Sequence, residues 1–260
     1  MNYSTLTQAT EDRSTIVTLN RPERRNVLDE AMIQELTDVF TQTNRDTRTR
    51  VVILTGAGSS FCAGMDLEYL RKSSQMGQQE NVEDARNLLK LYQLIRGLKK
   101  PVVAMVNGPA LGGGCGLAAA CDFVFASKGK ARLGVPEVKL GFLPAVILFF
   151  LIKRMGEGRT RELVLRGEIL DAAAAREQGL VTEVVEDDRL EPRVREFACS
   201  LARSTSAASV TLTKDLFSRF DEMNMKDALE YAANLNALVR KTGDFQKGID
   251  SFLNKEKLEW

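Results

Sequence analysis

The sequence contains no histidine. That absence removes the Ser-His-Asp and Cys-His relays, the HExxH zinc site and every imidazole general base. Any proton transfer must come from a carboxylate, a lysine, a tyrosine, a cysteine or the backbone. Cysteine is scarce as well. Its four positions, 62, 115, 121 and 199, include no CxxC pair, which excludes a disulfide scaffold in a chain of this length. Cys115 and Cys121 have apolar neighbours and read as small buried thiols. No sign of charge dominates. The net charge of +1 provides no global field to recruit nucleic acid or an anionic membrane, although a local basic cluster could still hold a phosphate. Long hydrophobic runs are missing too. The longest, "AVILFFLI" at 145–152 and "PVVAMV" at 101–106, fall well short of the roughly 20 residues that cross a bilayer. The opening "MNYSTLTQATEDRS" is polar and has no signal-like apolar core, which argues against secretion. The expectation is a soluble cytoplasmic protein; a mitochondrial matrix protein without its presequence would read the same.

What is present is an ordinary globular composition, 44% hydrophobic and 27% charged over 260 residues, enough to bury a sizeable core. "STIVTLN" at 14–20 reads as a strand that leaves into a turn at Arg21-Pro22. Asp29 is a helix N-cap, and apolar residues at 32, 33, 36, 39 and 40 follow at helical spacing. "RVVILTGAG" (50–58) reads as a buried strand, and "FCAGMDLEYL" (61–70) as a loop running into a helix. The polar run 71–81 predicts a mobile surface loop. A helix over 82–98 is predicted to bury Val82, Ala85, Leu88, Leu89, Ile95 and Leu98. "PVVAMVNG", "DFVFAS" and "ARLGVPE" read as further strands. Alternating strands and helices imply parallel pairing and an α/β class. Strand signals fade after about 145. The layout is an α/β core over 1–190 and a helical region over 191–260, without internal repeats.

Two glycine-rich loops carry the chemistry. "ALGGGCGLAAACD" (110–122) lacks GK[ST], so it is no P-loop, and lacks the GxGxxG spacing of a dinucleotide turn. It lies between a strand and an Ala-rich helical segment, where bare backbone lets N–H groups approach a ligand at a helix N-terminus. A tight strand–helix crossing would need the same small residues. "GAGSSFCAGMDL" (56–67) repeats the arrangement upstream: buried strand, glycine loop, helix. Each loop could supply one N–H to the same carbonyl oxygen, which makes an oxyanion hole.

"LNRPERRNVL", "GAGSSFCAGMDL", "KKPVVAMVNGPALGGGCGLAAACDFVFAS", "GVPEVKLGFLP", "GEILDAAAAREQGLVTEVV" and "DFQKGIDSFLNKEKLEW" together resemble the enoyl-CoA hydratase/isomerase (crotonase) family, in the family's order and over nearly the whole chain. The resemblance implies a spiral of ββα repeats with a C-terminal helical region that mediates trimerisation, assembled as a homotrimer or homohexamer. It implies an acyl-CoA thioester substrate, with coenzyme A entering as part of that substrate, no separate cofactor, no metal, and neither nucleic acid nor membrane as a partner. By position, Met65 and Gly113 would supply the oxyanion-hole N–H groups. Ala63, Asp66 and Leu67 would line the coenzyme A. Arg24 and Arg25 would face its phosphates, or else be solvated surface charge. Glu137 would be the acid/base.

One departure stands out. Many hydratases of the family carry a second glutamate where this chain has Gly116. A second departure is "FLPAVILFFLIKRMG", where relatives commonly have a glycine-rich loop; Phe142, Leu143 and Phe149 there would line an apolar acyl pocket together with Gly116, or simply form helix core. The reading that follows is a hydratase in which Glu137 works as the single glutamate and Gly116 leaves space for a branched or glutaconyl-type acyl chain. The alternative is a Δ3,Δ2-enoyl-CoA isomerase, where one glutamate shuttles a proton from C2 to C4. A non-catalytic acyl-CoA-binding protein is disfavoured by the retention of Glu137. A wet pocket favours hydration. A dry one, sealed by Phe142, Leu143 and Phe149, favours isomerisation.

Overall fold

A computed structural model describes residues 3–260. In chain order these form β1 (Leu6–Glu11), β2 (Ser14–Leu19), α1 (Glu30–Arg45), β3 (Val51–Gly56), α2 (Leu67–Ser73), α3 (Gln78–Arg96), β4 (Val102–Val106), β5 (Pro109–Leu111) and α4 (Gly113–Ala120). There follow β6 (Phe123–Ser127), β7 (Arg132–Gly134), α5 (Ala145–Met155), α6 (Glu157–Arg166), β8 (Ile169–Asp171), α7 (Ala172–Glu177), β9 (Glu183–Val185), α8 (Leu190–Ser204), α9 (Ala207–Glu222), α10 (Met225–Val239) and α11 (Gly243–Leu253). Short 3-10 turns occupy Pro22–Arg24 and Glu137–Leu140.

The larger sheet has the order β1-β2-β3-β4-β6-β9. All its pairings are parallel except the β1–β2 hairpin. The hairpin turns through Asp12 and Arg13, both at positive φ, the twist that two-residue hairpin turns require. The predicted parallel α/β class is therefore what forms, but β1 lies in a stretch that looked only polar. It is an edge strand with only Leu6 buried, so it shows no apolar alternation. β5, β7 and β8 make a second, three-stranded sheet.

β3 and β4 are buried along their whole length because helices cover both faces of the sheet. Alternation decides which residue meets which layer. Val52, Leu54, Val102 and Ala104 belong to one core with Leu36, Phe40, Tyr92 and Ile95 of α1 and α3. Val51, Ile53, Val103 and Met105 belong to the other, with Val194, Ala198 and Ala202 of α8. The helical region expected from 191 thus begins with a helix that closes the second face of the sheet; α9–α11 lie beyond it. In α9 the only buried residue is Lys214, whose ammonium pairs with Asp122. The Asp122 carboxylate also accepts the Val102 N–H at 2.7 Å. Asp221 of the same helix pairs with both Arg96 and Lys153, so charge as well as apolar contact seats α9 on α3 and α5. No helix of the described residues is long and apolar enough to cross a membrane.

Three sequence expectations are corrected. The loop over 71–81 is shorter, because α2 runs through Ser73 and α3 starts at Gln78. Glu80 sets that start by accepting the Gly77 N–H at 2.8 Å. Val82, Ala85 and Leu89 are exposed and Leu88 is half-buried; burial in α3 begins only at Leu91. Helical spacing identifies residues that share a face, not how far a neighbour covers it. Past residue 145, β8 and β9 still form; three residues each are too few to show a period.

Asn26 holds the turn between β2 and α1. It is fully buried at φ 54°, a conformation asparagine tolerates better than most residues. Its Oδ1 accepts the Arg21 N–H at 2.9 Å, and its Nδ2 donates to the carbonyls of Ala57 at 2.9 Å and Ser60 at 2.8 Å. Asn26→Ala leaves these groups unpaired and should cost about 2–3 kcal/mol, read as a lower midpoint in urea unfolding.

Candidate active site

The two glycine loops are stitched together by paired backbone. Leu28 and Met65 form an isolated parallel bridge, in which Leu28 N–H donates to Gly64 O at 2.7 Å and Asp66 N–H donates to Leu28 O at 2.9 Å. In such a bridge the flanking residues of one strand carry the bonds, so the N–H of Met65 points away from Leu28. A second bridge joins Cys62 to Ala110, with Cys62 N–H on Pro109 O and Leu111 N–H on Cys62 O, both at 3.0 Å. This lays the first loop against the strand that leads into the second.

The chain then turns at Gly112, with φ 49° and ψ −118°. Its N–H donates to Gly134 O at 2.9 Å, and a side-chain carbon there would lie 2.7 Å from Glu137 Oε1. Only glycine meets both conditions. α4 starts at the next residue, so the Gly113 N–H is one of the unpaired donors of a helix N-terminus. A side-chain carbon on Gly113 would sit 3.8 Å from the Met65 nitrogen, and one on Gly64 would sit 3.5 Å from the Gly113 nitrogen. The two amides are neighbours, and among the described residues neither donates to a protein acceptor.

Glu137 follows β7 and opens the 3-10 turn Glu137–Leu140. Its carboxylate lies against Gly112. Its Oε2 is buried and has no hydrogen-bond partner among the described residues, and burial pushes its pKa above the ordinary carboxylate value. A desolvated carboxylate with one oxygen left without a partner, beside two free N–H groups, can take and return a proton while the N–H groups hold negative charge on an oxygen. The three residues expected to carry the chemistry, Met65, Gly113 and Glu137, are thus brought together.

Gly116 is different. It is buried within α4, all eight of whose residues are buried. A side-chain carbon there would lie 2.3 Å from Ile147 Cγ2 and 3.3 Å from Tyr92 Cζ. The expectation that Gly116 leaves space for an acyl branch is therefore corrected: α5 packs Ile147 into that volume. The aromatic wall also differs from the expectation. Phe142, Leu143 and Phe149 are 48%, 63% and 46% exposed, so they do not seal a dry pocket within the chain. Of the three, only Phe149 borders the large cavity of about 1,110 Å³ between α3, α5 and α9. Leu89, Gln93, Arg96 and Val146 line it too, and the charged ends of Arg96 and Lys153 stand 6.0 and 5.5 Å from the Phe149 ring centre.

The remaining candidates divide. Arg24 and Arg25 are exposed beside the first loop, and Leu67 is 64% exposed. Ala63 is half-buried and donates its N–H to Arg25 O at 3.0 Å. Asp66 is buried. It caps α2 by accepting the N–H groups of Glu68 and Tyr69 and pairs with Arg24, so its carboxylate is spent on the protein rather than open to a ligand. Sequence reasoning missed Tyr92, which donates its hydroxyl to Gly113 O at 2.8 Å. The signal available was an aromatic with a polar tip in the buried stripe of a helix. The thiols of Cys62, Cys115 and Cys121 are all buried and pushed up to about 12, which leaves them inert at neutral pH.

The fit of Ile147 over Gly116 can be measured. Gly116→Ala should destabilise the protein by about 1–3 kcal/mol through overpacking. Adding Ile147→Ala should return part of that loss, so that the two changes are non-additive in thermal or denaturant unfolding.

Comparison with known proteins places the chain in a family. The sequence pattern of the enoyl-CoA hydratase/isomerase family matches residues 11–260. A Thermus thermophilus protein that carries the provisional name enoyl-CoA hydratase is 36% identical over 96% of this chain and 98% of its own. The crotonyl-CoA hydratase of Syntrophomonas wolfei is 32% identical over 99% of this chain and 98% of its own. The crystal structure of an enoyl-CoA hydratase from Bacillus anthracis superposes with a TM-score of 0.89 at 32% identity, covering 98% of each chain. With the family pattern matched over nearly the whole chain and relatives of this identity and coverage, the chain belongs to the enoyl-CoA hydratase/isomerase family.

Proposed function

We propose that the protein is an enoyl-CoA hydratase that adds water across the 2,3 double bond of an acyl-CoA thioester with Glu137 as its single carboxylate. The observation that carries this reading is the Glu137 carboxylate, its buried Oε2 without a partner, set against the loop that presents the two free N–H groups. Ionised Glu137 takes a proton from water as the water oxygen bonds to C3. The π electrons of the double bond move toward the thioester, and its oxygen becomes an enolate held by the N–H groups of Met65 and Gly113. The enolate collapses and C2 takes the proton back from Glu137, which returns to its starting state. Arg24 and Arg25 face the phosphates of coenzyme A, and Ala63 and Leu67 lie along it.

A second reading, Δ3,Δ2-enoyl-CoA isomerisation, is favoured by Ile147. By filling the space at Gly116 it removes the site where a second acid could hold water. Incubation in D₂O with straight and branched 2-enoyl-CoAs, 3-methylglutaconyl-CoA and a 3-enoyl-CoA, followed by mass spectrometry, separates the two. Gain of one heavy water by a 2-enoyl substrate supports hydration. Conversion of the 3-enoyl compound to its 2-enoyl isomer with no water added supports isomerisation and overturns the hydratase reading.

Glu137→Gln should lower turnover about 10²–10⁴-fold while coenzyme A binding survives; wild-type turnover would remove Glu137 from the mechanism. Because the base must be ionised, kcat/KM should fall on the acidic side with a midpoint above that of an ordinary glutamate. The same shift has a stability consequence. A carboxyl whose folded pKa is raised binds more protons in the native state, so stability falls as pH rises from the unfolded toward the folded pKa. Glu137→Gln should therefore gain a few degrees in Tm at neutral pH and match wild type well below the unfolded pKa.

We also propose self-association as a trimer or hexamer. Leu140, Phe142 and Leu143 beside the site, and Met225, Leu238, Phe252 and Leu253 on α10 and α11, are large apolar residues left exposed in the single chain. More than one such patch is unusual for a monomer. Light scattering should return a multiple of the chain mass.

A further inference from the structure

The proposed hole depends on the Gly112–Gly113 peptide at the start of α4, and three consecutive glycines give that segment little stiffness of its own. One side chain from another helix fixes the next peptide plane, between Gly113 and Gly114. Tyr92 is fully buried on α3, and its hydroxyl donates to Gly113 O at 2.8 Å. Its Cζ lies 3.3 Å from where a side chain at residue 116 would begin. The phenol thus spans the first turn of α4, touching the helix at the residue that supplies the N–H and again one turn on. The ring itself is supported from behind by Phe150 of α5, with centroids 5.4 Å apart. Burial holds the phenol pKa well above its ordinary value, so the hydroxyl remains a donor throughout the working range.

We infer that Tyr92 is a positioning residue for the oxyanion hole: its hydroxyl holds the first turn of α4 so that the Gly113 N–H stays aimed beside that of Met65. This rests on the proposed acyl-CoA chemistry. The residue does not exchange protons with substrate, since its hydroxyl is committed to Gly113 O and fully covered. On its other face α3 borders a separate cavity, through Leu89, Gln93 and Arg96.

Tyr92→Phe keeps the ring and its Phe150 contact and deletes only the donor. On the enoyl-CoA that wild type turns over, the variant should lose about 10- to 100-fold in kcat, the scale of a misaligned reacting geometry, with KM within about threefold and the acidic limb of the pH profile unmoved. Acetoacetyl-CoA, which ionises to an enolate in such a hole, gives an ultraviolet readout. Its enolate should bind more weakly to the variant by a factor similar to the kcat loss, while coenzyme A alone binds as to wild type. Replacement by 3-fluorotyrosine, which retains the hydroxyl, should restore kcat. The inference is overturned by a kcat within twofold of wild type, by equal weakening of coenzyme A and the enolate, by a shifted acidic limb, or by a fluorotyrosine variant as slow as the phenylalanine one. A wild-type protein inert toward every enoyl-CoA would instead sink the functional reading itself.

Discussion

Everything at the site hangs on the backbone crossing at Gly112. Its N–H is tied to Gly134, its left-handed φ swings the chain into α4, and its missing side chain lets the Glu137 carboxylate approach. β7 and the turn that carries Glu137 are thereby fixed relative to the helix N-terminus. The bridges Leu28–Met65 and Cys62–Ala110 then bring the other loop to the same place. The geometry of the candidate site is thus mostly a property of main chain. Backbone donors fixed by folding require no reorganisation when charge develops, and that is the condition under which hydrogen bonds stabilise a transition state most.

The absence of histidine leaves carboxylates, lysines, tyrosines and cysteines for proton transfer, and at the candidate site the group present is Glu137. A glutamate in water ionises too readily to be a strong base. Burial raises its affinity for protons and makes it useful toward neutral pH. The same burial costs stability, because the ionised form is poorly solvated and its Oε2 has no partner. The compensation lies around it: a fully buried α4, two cores on the parallel sheet, and an asparagine that saturates its turn. Function here draws on a local defect that the rest of the packing can carry.

Much of this was legible in the sequence. Buried parallel strands announce themselves as short apolar runs, so β3, β4 and β6 were found where they lie. The Asp29 cap marked α1, whose N-terminal turn it closes by accepting the Met32 N–H. Glycine clusters after strands marked the loops. What escaped was set by tertiary contact. β1 is an edge strand with one buried residue. The exposed half of α3 has the same spacing as its buried half. Asp66 looked like a ligand residue, yet its carboxylate is consumed by the cap of α2 and by Arg24. Tyr92 and Ile147 lie 21 and 31 residues along the chain from the glycines they touch, Gly113 and Gly116, and no local pattern reports such a meeting.

Ile147 bears most directly on reaction type. A glycine in a buried helix reads as empty space when only the sequence is available, and empty space invites substrate. Here the helix and its neighbour are matched: the small residue exists so that α5 can approach, and the approaching branched side chain closes the gap. A carboxylate could not be placed at 116 without first moving α5. The proposed single-carboxylate chemistry consequently rests on how two helices pack, rather than on the loss of one group from an otherwise unchanged site. A water molecule serving hydration would have to be held by Glu137 and by the substrate's own side of the cavity, where Phe142, Leu143 and Phe149 leave the way to solvent open in the isolated chain. If self-association covers those residues, the same site becomes drier, and the balance between adding water and moving a proton becomes a property of the assembly as much as of the chain.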